Sequence, residues 1–163
     1  KDRNDVRLIM KAPRRLALPY KETHNIQIIN ETWFRVRMAD LLREGDCFVY
    51  PTSGEGFGLS PVEAMAVGNT CICTNWSGPE DYLDDAYSYK LDYTISGNIG
   101  SHWGDRFQYA IPNREHLKEL MWHVYTHQDE ARAKGKIAAE YVAEHLTWTH
   151  TANCIVKFLQ EIG

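Results

Sequence analysis

The run Ser53-Gly54-Glu55-Gly56-Phe57-Gly58-Leu59-Ser60-Pro61 sets glycines at alternate positions around a single glutamate, directly before a segment of helical composition. Glycine carries no Cβ, so positions 54, 56 and 58 would let a ligand approach the main chain closely. The following residues hold helix start and stop signals. Ser60 fits the N-cap, Pro61 the first helical position, Glu63 the third and Gly68 the C-terminal stop. The first N–H groups of a helix lack partners, and its dipole places partial positive charge there. A glycine-rich turn running into such a start is therefore a geometry for holding phosphate. The run lacks the Lys-Ser/Thr of a P-loop, and its glycine spacing departs from G-x-G-x-x-G, which disfavours a dehydrogenase-type cofactor site. Glu55 has no evident structural task in this loop. Glu63 has one, because Ser60 to Glu63 meets the spacing of a capping box.

The elements that must position this loop alternate between strand and helix. Residues 6–10 read as a strand ended by the Ala12-Pro13 break, and Ile26–Ile29 as a second strand. Residues 32–43 have helical spacing, with Phe34, Met38, Leu41 and Leu42 toward a core. Cys47–Tyr50 is near-continuously apolar, as in a strand buried on both faces. Thr70–Thr74 is a further strand, and Trp76-Ser77-Gly78-Pro79 a turn into a short helix from Glu80. Residues 87–111 suggest a strand or two and a long loop. Three helices then follow. Asn113 caps one with Leu117, Leu120, Met121 and Val124 on one face, and residues 129–145 form another. Thr147 caps a third carrying Ala152, Ile155, Val156, Leu159 and Ile162. The alternation predicts an α/β fold with a doubly wound parallel sheet and C-terminal helices.

The totals exclude several classes. The 163 residues fit one domain, and a net charge of −4 without long single-sign blocks argues against a nucleic-acid surface. No apolar run approaches the ~20 residues of a membrane span, and the start shows no signal-peptide pattern. Cys71 and Cys73 alternate within an apolar strand, so with Cys47 and Cys154 they read as buried, reduced and structural, implying a cytoplasmic setting. Two sequons, Asn30-Glu31-Thr32 and Asn75-Trp76-Ser77, do not overturn that reading. Of the histidines at 24, 102, 116, 123, 127, 145 and 150, only His123 and His127 share helical spacing, and they read as a solvated pair. No metal site and no cofactor are expected.

From Glu55 to Gly68 the sequence resembles the signature of group 1 (family four) retaining glycosyltransferases of the GT-B fold. Its core is two glutamates separated by seven residues, around a Gly-Phe-Gly-Leu turn and a Glu-Ala-Met-Ala helix. Pro51-Thr52-Ser53, the turn Asn75-Trp76-Ser77-Gly78-Pro79-Glu80 and Leu146-Thr147-Trp148 agree with it. The resemblance covers roughly residues 6–163, weakly at 87–111. It implies a Rossmann-like C-terminal donor-binding domain and metal-independent transfer of a sugar, with retention, from a nucleoside-diphosphate sugar. By the same resemblance Glu55 is the catalytic residue, beside the donor sugar. Gly56, Phe57, Gly58 and Leu59 hold sugar hydroxyls and diphosphate, with N–H groups near Leu59 and Ser60 aimed at phosphate. Glu63 accepts from ribose hydroxyls, and Asn30 and Glu31 lie near the nucleobase. A carboxylate is a good acceptor for vicinal hydroxyls and an exposed helix start for diphosphate.

The chain also departs from the family pattern. It opens on Lys1, at what would be the family domain's second strand, so residues 1–163 are expected to be a partial C-terminal domain lacking its usual first strand and helix. The usual Arg and Lys of that first turn, and the N-terminal acceptor-binding domain, would lie elsewhere in a longer protein. The fragment alone is expected to be inactive. In a 3-2-1-4-5-6 order the absent first strand is central, which exposes backbone on its neighbours and leaves self-association of the fragment open. Peripheral membrane association of the full-length protein stays open too. The alternative function is a non-catalytic nucleotide-sugar-binding or assembly module.

Overall fold

The structure is a computed structural model that describes residues 4–12, 23–96 and 108–162, with the Arg35 side chain excepted. Pro13, His102 and much of the loop expected within 87–111 lie outside the described residues. The chain forms two compact units, residues 1–38 and 39–163.

In the first unit, β1 (Leu8–Lys11) and β2 (Ile26–Ile29) pair in parallel, Leu8 opposite Ile26 and Lys11 opposite Ile29. Helix α1 (Arg35–Glu44) starts here and ends in the second unit. It begins later than the spacing predicts, and Phe34, expected in a core, is 90% exposed. Side-chain bonds organise the residues before it. Trp33 Nε1 donates to Glu31 Oε2 at 2.8 Å, and the Arg37 guanidinium lies 3.7 Å over the Trp33 ring. Phe34 thus precedes the first helical turn and is not carried on its inner face.

In the second unit, β3 (Cys47–Tyr50), β4 (Thr70–Thr74) and β5 (Tyr89–Leu91) form a parallel sheet in that order. Strands β6 (Tyr93–Ile95) and β7 (Ala110–Pro112) form a separate antiparallel pair. β4 is the central strand, and all five of its residues are buried. Its alternation divides the core into two layers. Cys71 and Cys73 pack with Val62 and Met65 of α2 (Leu59–Ala66) and with Ala138 and Val142 of α4 (Gln128–His145). Ile72 faces the other way, toward Tyr89, Leu91, Ala131 and Val124 of α3 (Arg114–Thr126). Helices therefore cover both faces of the sheet, as an apolar central strand requires. A fully buried side chain such as Ile72 is worth about 1.5–3 kcal/mol here. β3 is only partly buried, contrary to expectation, because among the described residues it borders β4 alone.

β1 pairs with β2, and β3, β4 and β5 form a separate parallel sheet. The fold is Rossmann-like α/β with C-terminal helices. Asn113 caps α3 as expected, its side chain accepting from Glu115 N and His116 N. Met121, assigned to that helix's inner face, is instead exposed, because the packed stripe runs through Leu117, Leu120 and Val124. Thr147 Oγ1 accepts from His150 N at the start of α5 (Trp148–Ile162). α5 buries none of its residues, so Ile155, Val156, Leu159 and Ile162 stay exposed, and so does Cys154. Cys71 and Cys73 are buried as expected, but Cys47 is half-buried and Cys154 exposed, and all four are free.

His123 and His127 are more than a solvated pair. Their rings stack at 4.2 Å, and His123 Nε2 lies 3.0 Å from Glu130 Oε2, because the α3–α4 junction brings Glu130 alongside. Burial alone would raise the Glu130 pKa, but hydrogen bonds with Tyr89 and His123 outweigh it and hold the carboxyl below its ordinary range. Among the described residues no group of three or more His, Cys, Asp or Glu is placed to hold a metal. No helix among them is long and apolar enough to cross a membrane.

Candidate functional site

The glycine loop leaves the carboxyl end of β3 and enters α2, whose first residue is Leu59. The N-cap is Gly58, at φ 84° and ψ 65°, and no side chain caps the helix. This corrects the reading of Ser60 as N-cap. The left-handed turn at Gly58 starts the helix early, so Ser60 and Pro61 fall inside its first turn and Glu63 lies too far along for a capping box. Glu63 is exposed, and its side chain makes no hydrogen bond among the described residues. Its structural role is thereby removed. The N–H groups of Leu59 and Ser60 likewise find no acceptor among the described residues. The helix stop is as expected. Gly68 takes φ 85°, with Gly68 N donating to Met65 O and Asn69 N to Ala64 O, the paired bonds of a Schellman motif.

Glu55 is held on both its side chain and its main chain. The Tyr50 hydroxyl donates to Glu55 Oε1 at 2.5 Å, and Thr52 Oγ1 lies 3.2 Å from the same oxygen. No hydrogen bond falls on Oε2 among the described residues. Burial, then the Glu55 contact, pushes the Tyr50 phenol up to about 12, so it stays a donor at neutral pH. Ser77 Oγ accepts from Glu55 N and donates to Glu55 O, both at 2.9 Å, and Gly78 N donates to Glu55 O at 3.1 Å. Ser77 itself has φ 56°, the one positive value outside glycine among the described residues. Such a conformation costs about 1–3 kcal/mol and persists when neighbouring bonds over-determine it. Those bonds are the three to Glu55.

The glycines do not all serve ligand approach. A Cβ on Gly58 would meet Tyr82 Oη at 2.7 Å, and Tyr82 in turn donates to Gly58 O at 2.9 Å. Gly58 is thus required by its own backbone angle and by Tyr82. Gly78 is required by the loop, since its Cβ would lie 2.6 Å from Gly56 O and Phe57 Cα. Gly56 alone of the three loop glycines faces open space. Phe57 packs against Tyr82 with ring centres 5.3 Å apart and planes tilted at 53°, yet remains 42% exposed, and Leu59 and Ser60 are exposed as well.

The structure therefore gathers Glu55, Gly56, Phe57, Gly58, Leu59, Ser60 and Glu63 into one loop-and-helix start. Asn30 and Glu31 belong to the first unit, just past β2, with Glu31 also 3.6 Å from Arg37. Sequence reasoning missed the supports Tyr50, Thr52, Ser77 and Tyr82. Thr52 and Ser77 carried a signal, each as part of a run that agrees with the family pattern.

Residues 11–94 match the family described as Glycosyl transferases group 1. The D-inositol 3-phosphate glycosyltransferase of Paenarthrobacter aurescens (strain TC1) is 28% identical over 124 residues, covering 76% of this chain and 26% of that protein. The chain thus spans about a quarter of the length of that curated relative.

Proposed function

The chain belongs to the group 1 glycosyl transferases, and from that premise we propose that it is the donor-binding part of a retaining, GT-B enzyme that uses a nucleoside-diphosphate sugar. The carrying observation is the uncapped start of α2, with open N–H groups at Leu59 and Ser60, in the same loop as a carboxylate fixed by Tyr50. A helix start of this kind favours diphosphate. In the proposed reaction an acceptor hydroxyl attacks the anomeric carbon as its bond to the diphosphate breaks. The proton of the acceptor hydroxyl passes to the departing phosphate oxygen, and the nucleoside diphosphate leaves. The N–H groups at the start of α2 stabilise the charge that develops on the leaving diphosphate. Glu55 accepts from sugar hydroxyls through Oε2, its Oε1 being committed to Tyr50. The main chain of Gly56 to Leu59 lines the sugar and diphosphate, and Glu63 accepts from ribose hydroxyls. An acceptor-binding domain of the same protein completes the site, in a cytoplasmic setting that suits four free thiols. Calorimetry of the full-length protein against UDP, GDP and ADP tests this. One of them should bind, and binding should be lost when Gly56, which faces open space, is changed to Val. Absence of binding by all three would contradict the proposal.

A further inference from the structure

Trp76 lies in the turn that leaves β4, the central strand, with its backbone N–H donating to Thr74 O at 2.9 Å. Its indole packs against Tyr93, with ring centres 5.3 Å apart and planes at 50°. That contact fixes the ring. Nε1 lies 3.9 Å from the point where a Cβ on Gly54 would stand, so the indole N–H borders the residue immediately before Glu55. Ser77, the next residue, holds Glu55 through both its N–H and its carbonyl. Trp76 is half-buried, and no residue among those described accepts from Nε1. An indole N–H in such a position ordinarily has a partner.

We propose that Trp76 is a specificity-determining contact for the sugar carried by the nucleotide, its Nε1 donating to a sugar hydroxyl. The proposal rests on the donor-site reading above. A pyranose presents both C–H faces and hydroxyls, and an indole edge matches that mixture with an apolar ring and one directed donor. Tyr93 and the loop hold the donor rigid, so little ordering cost falls on binding.

The test uses the full-length protein, with UDP and UDP-glucose, GDP and GDP-mannose, and ADP and ADP-glucose as paired probes in calorimetry. Trp76→Phe keeps an aromatic ring against Tyr93 and removes the N–H. It should leave affinity for the free nucleoside diphosphate unchanged and weaken the matching sugar nucleotide by about three- to tenfold, the range of one hydrogen bond. Gly54→Ala places a methyl at ordinary contact distance from Nε1 and Ser77 Oγ, so the loop is retained while the N–H is covered. It should show the same selective loss. Parental affinity for the sugar nucleotide in either variant overturns the assignment. Equal weakening of both ligands by Trp76→Phe overturns it too, because Trp76 then only supports the loop. A parent protein that binds no nucleoside diphosphate removes the donor-site reading itself, and this assignment with it.

Discussion

The Tyr50 hydroxyl donates to Glu55 Oε1 across 2.5 Å, so the last residue of β3 fixes the carboxylate of the loop that follows it. Tyr50→Phe keeps the ring stacked on Phe48 and removes only that donor. We expect a stability loss of about 1–2 kcal/mol in urea unfolding, the range for a hydrogen bond to a charged group. In the full-length enzyme kcat should fall while nucleoside-diphosphate affinity holds. Unchanged kcat would show that the position of Glu55 does not matter to turnover.

The same phenol gives a pH prediction. Its pKa is raised from an ordinary value of 10.0 to about 12 in the folded chain, chiefly by burial. Stability from a raised group is fully present below the unfolded pKa and is lost as pH rises through the folded one. Unfolding midpoints should therefore fall between about pH 10 and 12. Tyr82, Tyr87 and Tyr89 are raised in the same direction, each mainly by burial. Tyr50→Phe should make the decline shallower. An identical decline in that variant would mean its phenol is solvated.

Gly58→Ala should destabilise the chain by about 1–3 kcal/mol, through its left-handed backbone and the clash with Tyr82 Oη. Tyr82→Phe relieves the clash but leaves the backbone strain. The double variant should therefore be more stable than the sum of the single losses predicts. Strict additivity in thermal melts would place the whole cost in the backbone.

Asn113→Ala offers a control remote from the loop. Its side chain accepts from two backbone N–H groups of α3, and loss of such a cap costs about 1 kcal/mol. Thermal melts should show that loss, with nucleoside-diphosphate affinity untouched. A drop in affinity would tie α3 to the donor site.

Legibility in the sequence followed the range of the forces involved. The apolar runs at Ile26–Ile29 and Cys47–Tyr50 marked their strands residue for residue, because strand pairing there selects the same β-branched and aromatic side chains that spacing reveals. Alternation placed Cys71 and Cys73 on one face of β4, and the caps at Asn113 and Thr147 were local enough to read directly. The start of α2 was misread because Ser60 and Pro61 are strong start signals, while the deciding factor was the tertiary pairing of Gly58 with Tyr82. Contacts between positions 22 and 24 residues apart, such as Ser77 with Glu55 and Tyr82 with Gly58, leave no local trace. Burial around α5 was equally hidden, since an apolar stripe states that a helix has a face and not what covers it.

The central claim is that the two glutamates of one loop and helix do different work, Glu55 on the reacting sugar and Glu63 on the ribose. Steady-state kinetics of Glu55→Gln and Glu63→Gln in the full-length enzyme test it most directly. Glu55→Gln should lower kcat at least about tenfold, equivalent to about 1.4 kcal/mol of barrier, with little change in donor KM. Glu63→Gln should instead weaken donor binding by about 1–3 kcal/mol and spare kcat, as loss of a charge-assisted hydroxyl contact would. Equal effects of both variants on both constants would contradict the account.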